Sequence, residues 1–317
     1  MLSARPILLD TDVGSDVDDA LALGVILAEP DALELVAVTT VGARARVRAR
    51  VAASLLGLAG RHDVETCLGA ERPVLRGAER FNGFGHEQSC VADADLAPIS
   101  DEPAAERIVR AARERAGLEV VAIGPMTNLA QALALDPKLP RRLGGVTIMG
   151  GHVRTVRIGS HVCPPGIDYN LCSDPEAALV VLGAGLRTTL VTADVTLQVW
   201  LRDADVAALA RAGPVARELA RQVGFWKPVQ HEIFPALGGE LAPDNAAFLH
   251  DPLTVLALLD DEPLHFEQLG IVATLEKGVL RTHEVPAAAD MGARMRVATG
   301  VDPGGATRAI VERLLAL

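Results

Sequence analysis

The chain has 317 residues and a formal net charge of −11, from 30 Lys plus Arg against 41 Asp plus Glu. Half of it is apolar and 22% is charged, which excludes a disordered chain and allows a large core without disulfide staples. Aromatic residues make up only 3%, and the acidic balance repels phosphate backbones, so nucleic acid is not an expected partner.

The elements alternate along the chain. Pro6 to Leu9 is a short apolar run that ends at Asp10 and predicts a buried strand. Asp18 to Leu27 has helical propensity and an acidic start, which suits a helix N-terminus. Leu33 to Val41 is rich in β-branched residues and predicts a second strand; Val47 to Leu58 predicts a helix that stops at Gly60. Val120 to Ile123 is another strand, broken by Gly124-Pro125, and Asn128 to Leu135 is the helix after it. Val146 to Met149 is a strand that turns at Gly150-Gly151. Asp174-Pro175-Glu176 opens a helix with Asp as cap, Pro at the first position and Glu in the first turn. Leu186 to Val191 is the next strand. Ala204 to Leu237 reads as mostly helical, Gly270 to Leu275 and Met295 to Thr299 as strands, and Pro303 to Leu317 as a closing helix. Strands alternating with helices predict an α/β fold with a mainly parallel central sheet flanked by helices, as one domain over residues 1–317 with loop and helical insertions.

The cysteines Cys67, Cys90, Cys163 and Cys172 show no CxxC spacing, so reduced, mostly buried thiols are expected. No apolar run is long enough to span a membrane, and Met1 to Leu9 is too short for a signal-peptide core. A cytoplasmic protein with no membrane partner is the expectation.

The most informative segment is Asp10 to Ala20, which holds five carboxylates: Asp10, Asp12, Asp16, Asp18 and Asp19. They follow a strand and precede a helix, where open α/β sheets bind ligands. Asp10 and Asp12 fall on one side of an extended chain, and Gly14 allows the turn that brings the helix acids back. One or two such residues would be ordinary helix caps, but five repel one another unless a cation neutralises them. A hard divalent ion, Ca²⁺ or Mg²⁺, suits oxygen ligands. Ile123 to Asn128, Asp168-Tyr169-Asn170 and His250-Asp251-Pro252 also place polar groups at element ends. Each alone reads as turn or cap chemistry.

Taken in order, DTDVGSDVDDA from Asp10, TTV at Thr39 to Val41, GPMTN at Gly124 to Asn128, MGG at Met149 to Gly151, Asp168 to Ala178, and HDP at His250 to Pro252 resemble the inosine-uridine-preferring nucleoside hydrolases. The resemblance implies that family's α/β fold and hydrolysis of the N-glycosidic bond of purine or pyrimidine ribonucleosides to ribose and free base. It implies a bound Ca²⁺ held by Asp12, Asp19, the Ile123 carbonyl and Asp251, with Asp12 doubling as general base on the water at the metal. Asp10 and Asp16 would support the metal and ribose. Asp18, Asn170, Asp168 and Met149 would line the substrate, His250 would act near the leaving base, and His86 is a further candidate contact. A homodimer or homotetramer is implied as well.

The sequence departs from the family pattern at several points. The aspartate motif carries two extra residues, which makes Asp16 a spare carboxylate. Gly42-Ala43-Arg44 stands where the family often has Asn, and Asp168 replaces a longer acid. Asn82 to Glu87 stands where the family has a His-Gly loop. Phe225, Trp226, His231, Phe234 and Phe248 read as packing residues, with Trp226 and His231 as second candidates for the base pocket. Two other readings stay open at this point. Asp10-Thr11-Asp12 also suits a Mg²⁺-dependent phosphatase with an aspartate nucleophile, although Lys138, Lys227 and Lys277 stand at no obvious strand end. A ribosyl-binding protein with altered catalysis is the third.

Overall fold

The computed structural model describes residues 4–75, 84–236, 240–259, 262–286 and 292–317. Asn82, Gly83 and Leu237 of the sequence reading lie outside them. In chain order the strands begin with β1 (Arg5–Thr11), β2 (Leu33–Thr40), β3 (Thr66–Cys67), β4 (Ile99–Ser100), β5 (Glu119–Ala122) and β6 (Gly145–Met149). They continue with β7 (Val156–Ile158), β8 (His161–Cys163), β9 (Thr188–Val191), β10 (Trp200–Arg202), β11 (Asn245–Phe248), β12 (Leu264–Glu276), β13 (Val279–Val285) and β14 (Ala293–Val301). Ten of them form one sheet in the order β4-β3-β2-β1-β5-β6-β9-β14-β12-β13. It is parallel from β4 to β14, and β12 and β13 add an antiparallel edge. The expected mainly parallel sheet is therefore present.

The helices are α1 (Asp18–Ala28), α2 (Ala45–Leu58), α3 (Ala104–Glu114), α4 (Thr127–Leu135), α5 (Leu139–Arg142) and α6 (Tyr169–Ser173). After them come α7 (Pro175–Leu182), α8 (Ala193–Thr196), α9 (Asp203–Leu209), α10 (Pro214–Ala236), α11 (His250–Leu259) and α12 (Pro303–Leu315). They cover both faces of the sheet. Leu8 of β1 packs in a core with α3, α4 and α7, whereas Ile7 and Leu9 pack in the other core with α1, α2, α10, α11 and α12. Alternate side chains of one apolar run thus fill two cores, which is why β1 shows no apolar–polar alternation.

The expected elements are present, with changes at their ends. β1 runs on through Asp10 to Thr11, so the first aspartate belongs to the strand. The expected helical stretch from Ala204 splits into α9 and α10 around Gly213-Pro214. The expected strand at Gly270 to Leu275 is part of the longer β12. α3 lies outside the expected elements, although Ala104, Ala105, Ile108, Ala111 and Ala112 bury one face at helical spacing. So do the two- and three-residue strands β3, β4, β7, β8 and β10 and the four-residue β11, whose pairing partners supply what their own length cannot.

Leu9→Ala, at a fully buried position of β1, is expected to cost about 2–5 kcal/mol of stability. The cost would appear as a lower urea midpoint at an unchanged slope.

Candidate active site

The order of the sheet reverses between β1 and β5: β2 to β4 extend one way from β1, and β6 onward extends the other. A crevice opens at the carboxyl ends of the strands at such a switch point. Asp10 and Thr11 end β1 there, Thr39 and Thr40 end β2, Ile123 follows β5 and Met149 ends β6. Gly14, at φ 107°, makes the expected turn between β1 and α1. α1 and α11 pack together, and the acids of their first turns meet. Asp18, Asp19 and Asp251 are buried there, and each offers a carboxylate oxygen within 4.8 Å of the other two. The site is thus built where two helix N-termini converge, which favours negative charge.

The remaining acids surround this trio. Thr11 Oγ1 donates to Asp19 Oδ1, and the Asp12 amide donates to the same oxygen at 3.1 Å. Asp10 Oδ1 accepts from Thr39 Oγ1 at 2.6 Å and from Asn128 Nδ2 at 2.7 Å. Its Oδ2 is buried with no hydrogen-bond partner. Asp16 Oδ1 accepts from the amides of Val17 at 2.6 Å and Asp18 at 3.3 Å, so this spare carboxylate caps the start of α1. Among the described residues, none of Asp10, Asp12, Asp16, Asp18, Asp19 and Asp251 forms an ion pair.

Burial raises the pKa of every one of these acids. Asp10 is pushed up to about 7 and Asp16 to about 8, chiefly by desolvation. Asp18, Asp19 and Asp251 rise well above the usual carboxylate range for the same reason, and each is raised further by the charges of its neighbours. Asp12 rises too, and its charge raises Asp10, Asp18, Asp19 and Asp251. A site that crowds six carboxylates around one buried guanidinium, that of Arg48, and leaves a buried carboxylate oxygen unpaired fits a hard divalent cation.

The walls come from other elements. Asn170 Nδ2 donates to the Ile123 carbonyl at 2.9 Å and the Met149 carbonyl at 3.2 Å, so the three expected residues do meet. Asp168 caps α6 by accepting from the Leu171 amide at 2.9 Å, and burial lifts its pKa to about 6. His250 Nδ1 pairs with Thr196 Oγ1 at 2.6 Å, and its ring lies 5.3 Å from that of Phe248. Desolvation lowers its pKa to about 4, so its ring is neutral at pH 7. His86 Nε2 meets the Ser15 carbonyl at 2.9 Å, and its ring lies 6.3 Å from those of Phe84 and Trp226. His231 meets the Asn245 carbonyl at 2.7 Å, which is a packing role. Phe234 lies 4.9 Å from Phe248.

Three residues of this neighbourhood were not singled out for it in the sequence. Asn128 ties Asp10 to the Thr40 carbonyl. Gly124 lies so close that a Cβ there would meet Asp12 Oδ1 at 2.9 Å. Arg48 is 1% exposed and reaches the Asp12 carbonyl. The first two sit in the GPMTN run, whose order was the available signal; Arg48 had none, being one arginine in an arginine-rich helix. The lysines needed by a phosphatase lie elsewhere: Lys227 pairs with Asp203, Lys138 precedes α5 and Lys277 sits in the β12–β13 turn.

Sequence comparison agrees with this geometry. The profile of the inosine-uridine preferring nucleoside hydrolase family matches residues 7–307, and the chain belongs to that family. It is a hydrolase acting on N-glycosyl compounds, with ribonucleosides as its substrates. It is 33% identical to the pyrimidine-specific ribonucleoside hydrolase RihA of Enterobacter sp. (strain 638), covering 82% of this chain and 80% of that one. It is 30% identical to the probable uridine nucleosidase 2 of Arabidopsis thaliana over 80% of this chain and 77% of that one. The solved structure of a purine-preferring ribonucleoside hydrolase from Gardnerella vaginalis superposes with a TM-score of 0.81 at 25% identity, over 98% of this chain and 99% of that one.

Two outcomes follow from the site. The raised acids bind more protons in the folded than in the unfolded chain, so without a cation stability is lost as pH rises toward their folded values of about 7 and 8. A cation displaces those protons. A divalent cation at a hundredfold its Kd at pH 8 is therefore expected to add about 2.7 kcal/mol there, and less at the same concentration at pH 5, read by thermal melts. Gly124→Ala is expected to displace the Asp12 carboxylate and lower turnover on the order of 10²-fold, measured as base release by a chain whose circular dichroism is unchanged.

Proposed function

We propose that the chain is a Ca²⁺-dependent nucleoside N-ribohydrolase, acting on purine and/or pyrimidine ribonucleosides, in which Asp12 is the general base. The observation that carries this reading is the buried, unpaired set of acids at the β1–β5 switch point. Asp12, Asp19, Asp251 and the Ile123 carbonyl would hold the cation, with Asp18 close enough to share it and Asp10 and Asp16 in support. When bound, Ca²⁺ supplies a template that gathers the ribose hydroxyls with the attacking water and neutralises the acids.

The chain's own groups do the rest. Asp12 takes a proton from water as the water oxygen bonds to the anomeric carbon and the bond to the base breaks. The crowd of carboxylates favours the positive charge that develops on the ribosyl ring in such an oxocarbenium-like transition state. Asn170 spends its amide on Ile123 and Met149, which leaves its Oδ1 to accept from a ribose hydroxyl. Asp168 and Met149 line the same side. His250, neutral and held by Thr196, meets the leaving base as a hydrogen-bonding group. His86, beside Phe84 and Trp226, is a further contact for the substrate in this reading.

The same reading takes residues 1–317 as one domain of a cytoplasmic homodimer or homotetramer. Four free cysteines support a reducing compartment, and light scattering tests the oligomer. Among the described residues no helix is long and apolar enough to cross a membrane.

Base release by chromatography from uridine, cytidine, inosine and adenosine tests the function and ranks the bases. Asp12→Ala is expected to lose 10²–10⁴-fold in kcat. Asp251→Ala and a chelator are expected to abolish turnover, with Ca²⁺ restoring it only in the chelated wild type. Normal turnover in either variant would overturn the assignment.

A further inference from the structure

The turn from Asp12 to Ser15 links the end of β1 to the acids of α1. Arg48, on the first turn of α2, lies behind it and is 1% exposed. All three nitrogens of its guanidinium are used. Nη1 donates to the Asp12 carbonyl and to the Val13 carbonyl at 3.2 Å. Nη2 donates to Ser15 Oγ at 2.9 Å, and Nε donates to the Ala43 carbonyl at 2.9 Å. The fork therefore ties the β1–α1 turn to the β2–α2 turn. Gly42, beside the guanidinium, has a φ of 94°, a backbone conformation that favours glycine, and a Cβ there would be in ordinary contact with Nε at 3.4 Å. Each of these partners is a neutral oxygen. The charge acts through space on Asp12, Asp19 and Glu87, whose carboxylates it favours in the ionised form.

We propose that Arg48 is a positioning residue, whose guanidinium holds the Asp12–Ser15 turn in the shape that presents the Asp12 carboxylate to the cation site and to the attacking water. The role rests on the hydrolase reading for its catalytic part and on the acid cluster for its cation part. An arginine is required because only a planar fork reaches acceptors on several sides at once, whereas an ammonium is a point charge. Burying an unpaired positive charge is costly, and the acids it faces are what offset that cost here. The fork is thus an outer support for the cation site, of the kind whose loss weakens metal binding or activity 10–100-fold.

The test uses the full chain, Ca²⁺ alone as the calorimetric probe, and whichever ribonucleoside the wild type turns over. Arg48→Lys keeps the charge and loses the fork. It is expected to raise the Kd for Ca²⁺ by 10–100-fold. At saturating Ca²⁺ its kcat is expected to stay at least about tenfold low, with KM changed by less than about threefold. Ser15→Ala removes one arm of the network and carries the same test with smaller shifts should Arg48→Lys not fold. A purely structural role would lower the melting temperature and the active fraction while leaving the Kd for Ca²⁺ and the kcat of the folded fraction at wild-type values, and that result overturns the proposal. A wild type that binds no Ca²⁺ overturns it as well. A wild type that releases no base, yet binds Ca²⁺ through an Arg48-dependent site, refutes the hydrolase reading and keeps the positioning role for the cation.

Discussion

Five aspartates held out of water at the junction of two helix N-termini, with the half-buried Asp16 beside them, are the constraint on which this structure depends. Carboxylates packed this closely are tolerable only if the protons stay on or a cation replaces them, and the pKa values of about 7 and 8 at Asp10 and Asp16 express that choice. The helix ends of α1 and α11 offer partial positive charge, which is too little to balance the set. A divalent cation would resolve the conflict and make a binding site of an electrostatic liability. The scaffold elsewhere is ordinary: a parallel sheet with both faces covered and two apolar cores.

The supports of the acids are spread over the chain. Asp10 is held by Thr39 from β2 and Asn128 from α4. Asp19 is held by Thr11 and by the Asp12 amide. The Asp12 turn is backed by Arg48 from α2 and met by His86 from a distant loop. Thr39, Asn128 and Arg48 belong to elements of the sheet and the helices packed on it, which fixes where they hold the acids. These bonds hold the acids together against their mutual repulsion. Two aromatic groups surround the two candidate histidines, Phe84 and Trp226 with His86, and Phe234 and Phe248 with His250. They concentrate flat apolar surface within a chain otherwise poor in aromatics.

Much of this was legible in the residues. The apolar run before Asp10, the Gly14 turn and the acidic start of α1 marked the site because strand, turn and helix signals are local. The ordered recurrence of GPMTN, MGG, DYN and HDP marked the other walls. Asp168 and Asp174 do cap their helices, as the cap spacing indicated. Asp16 is different. As a sequence feature it was a spare carboxylate, and only the fold shows it bonded to the amides that open α1. His250 is different too. Histidine chemistry alone suggests a group near neutrality, yet desolvation in its pocket brings it to about 4.

The sequence by itself determined the parallel α/β class, the cluster of acids at a strand end and the family, because each rests on short-range pattern or on motif order. Tertiary structure alone decided which acids share a centre: Asp251 joins Asp18 and Asp19 only because α11 packs beside α1, more than two hundred residues away in the chain. It also decided the part played by Arg48, one arginine among several in α2, whose burial behind the Asp12 turn depends on where β1 and β2 place their loops. Proximity across the sheet is a property of packing, and no spacing along the chain encodes it.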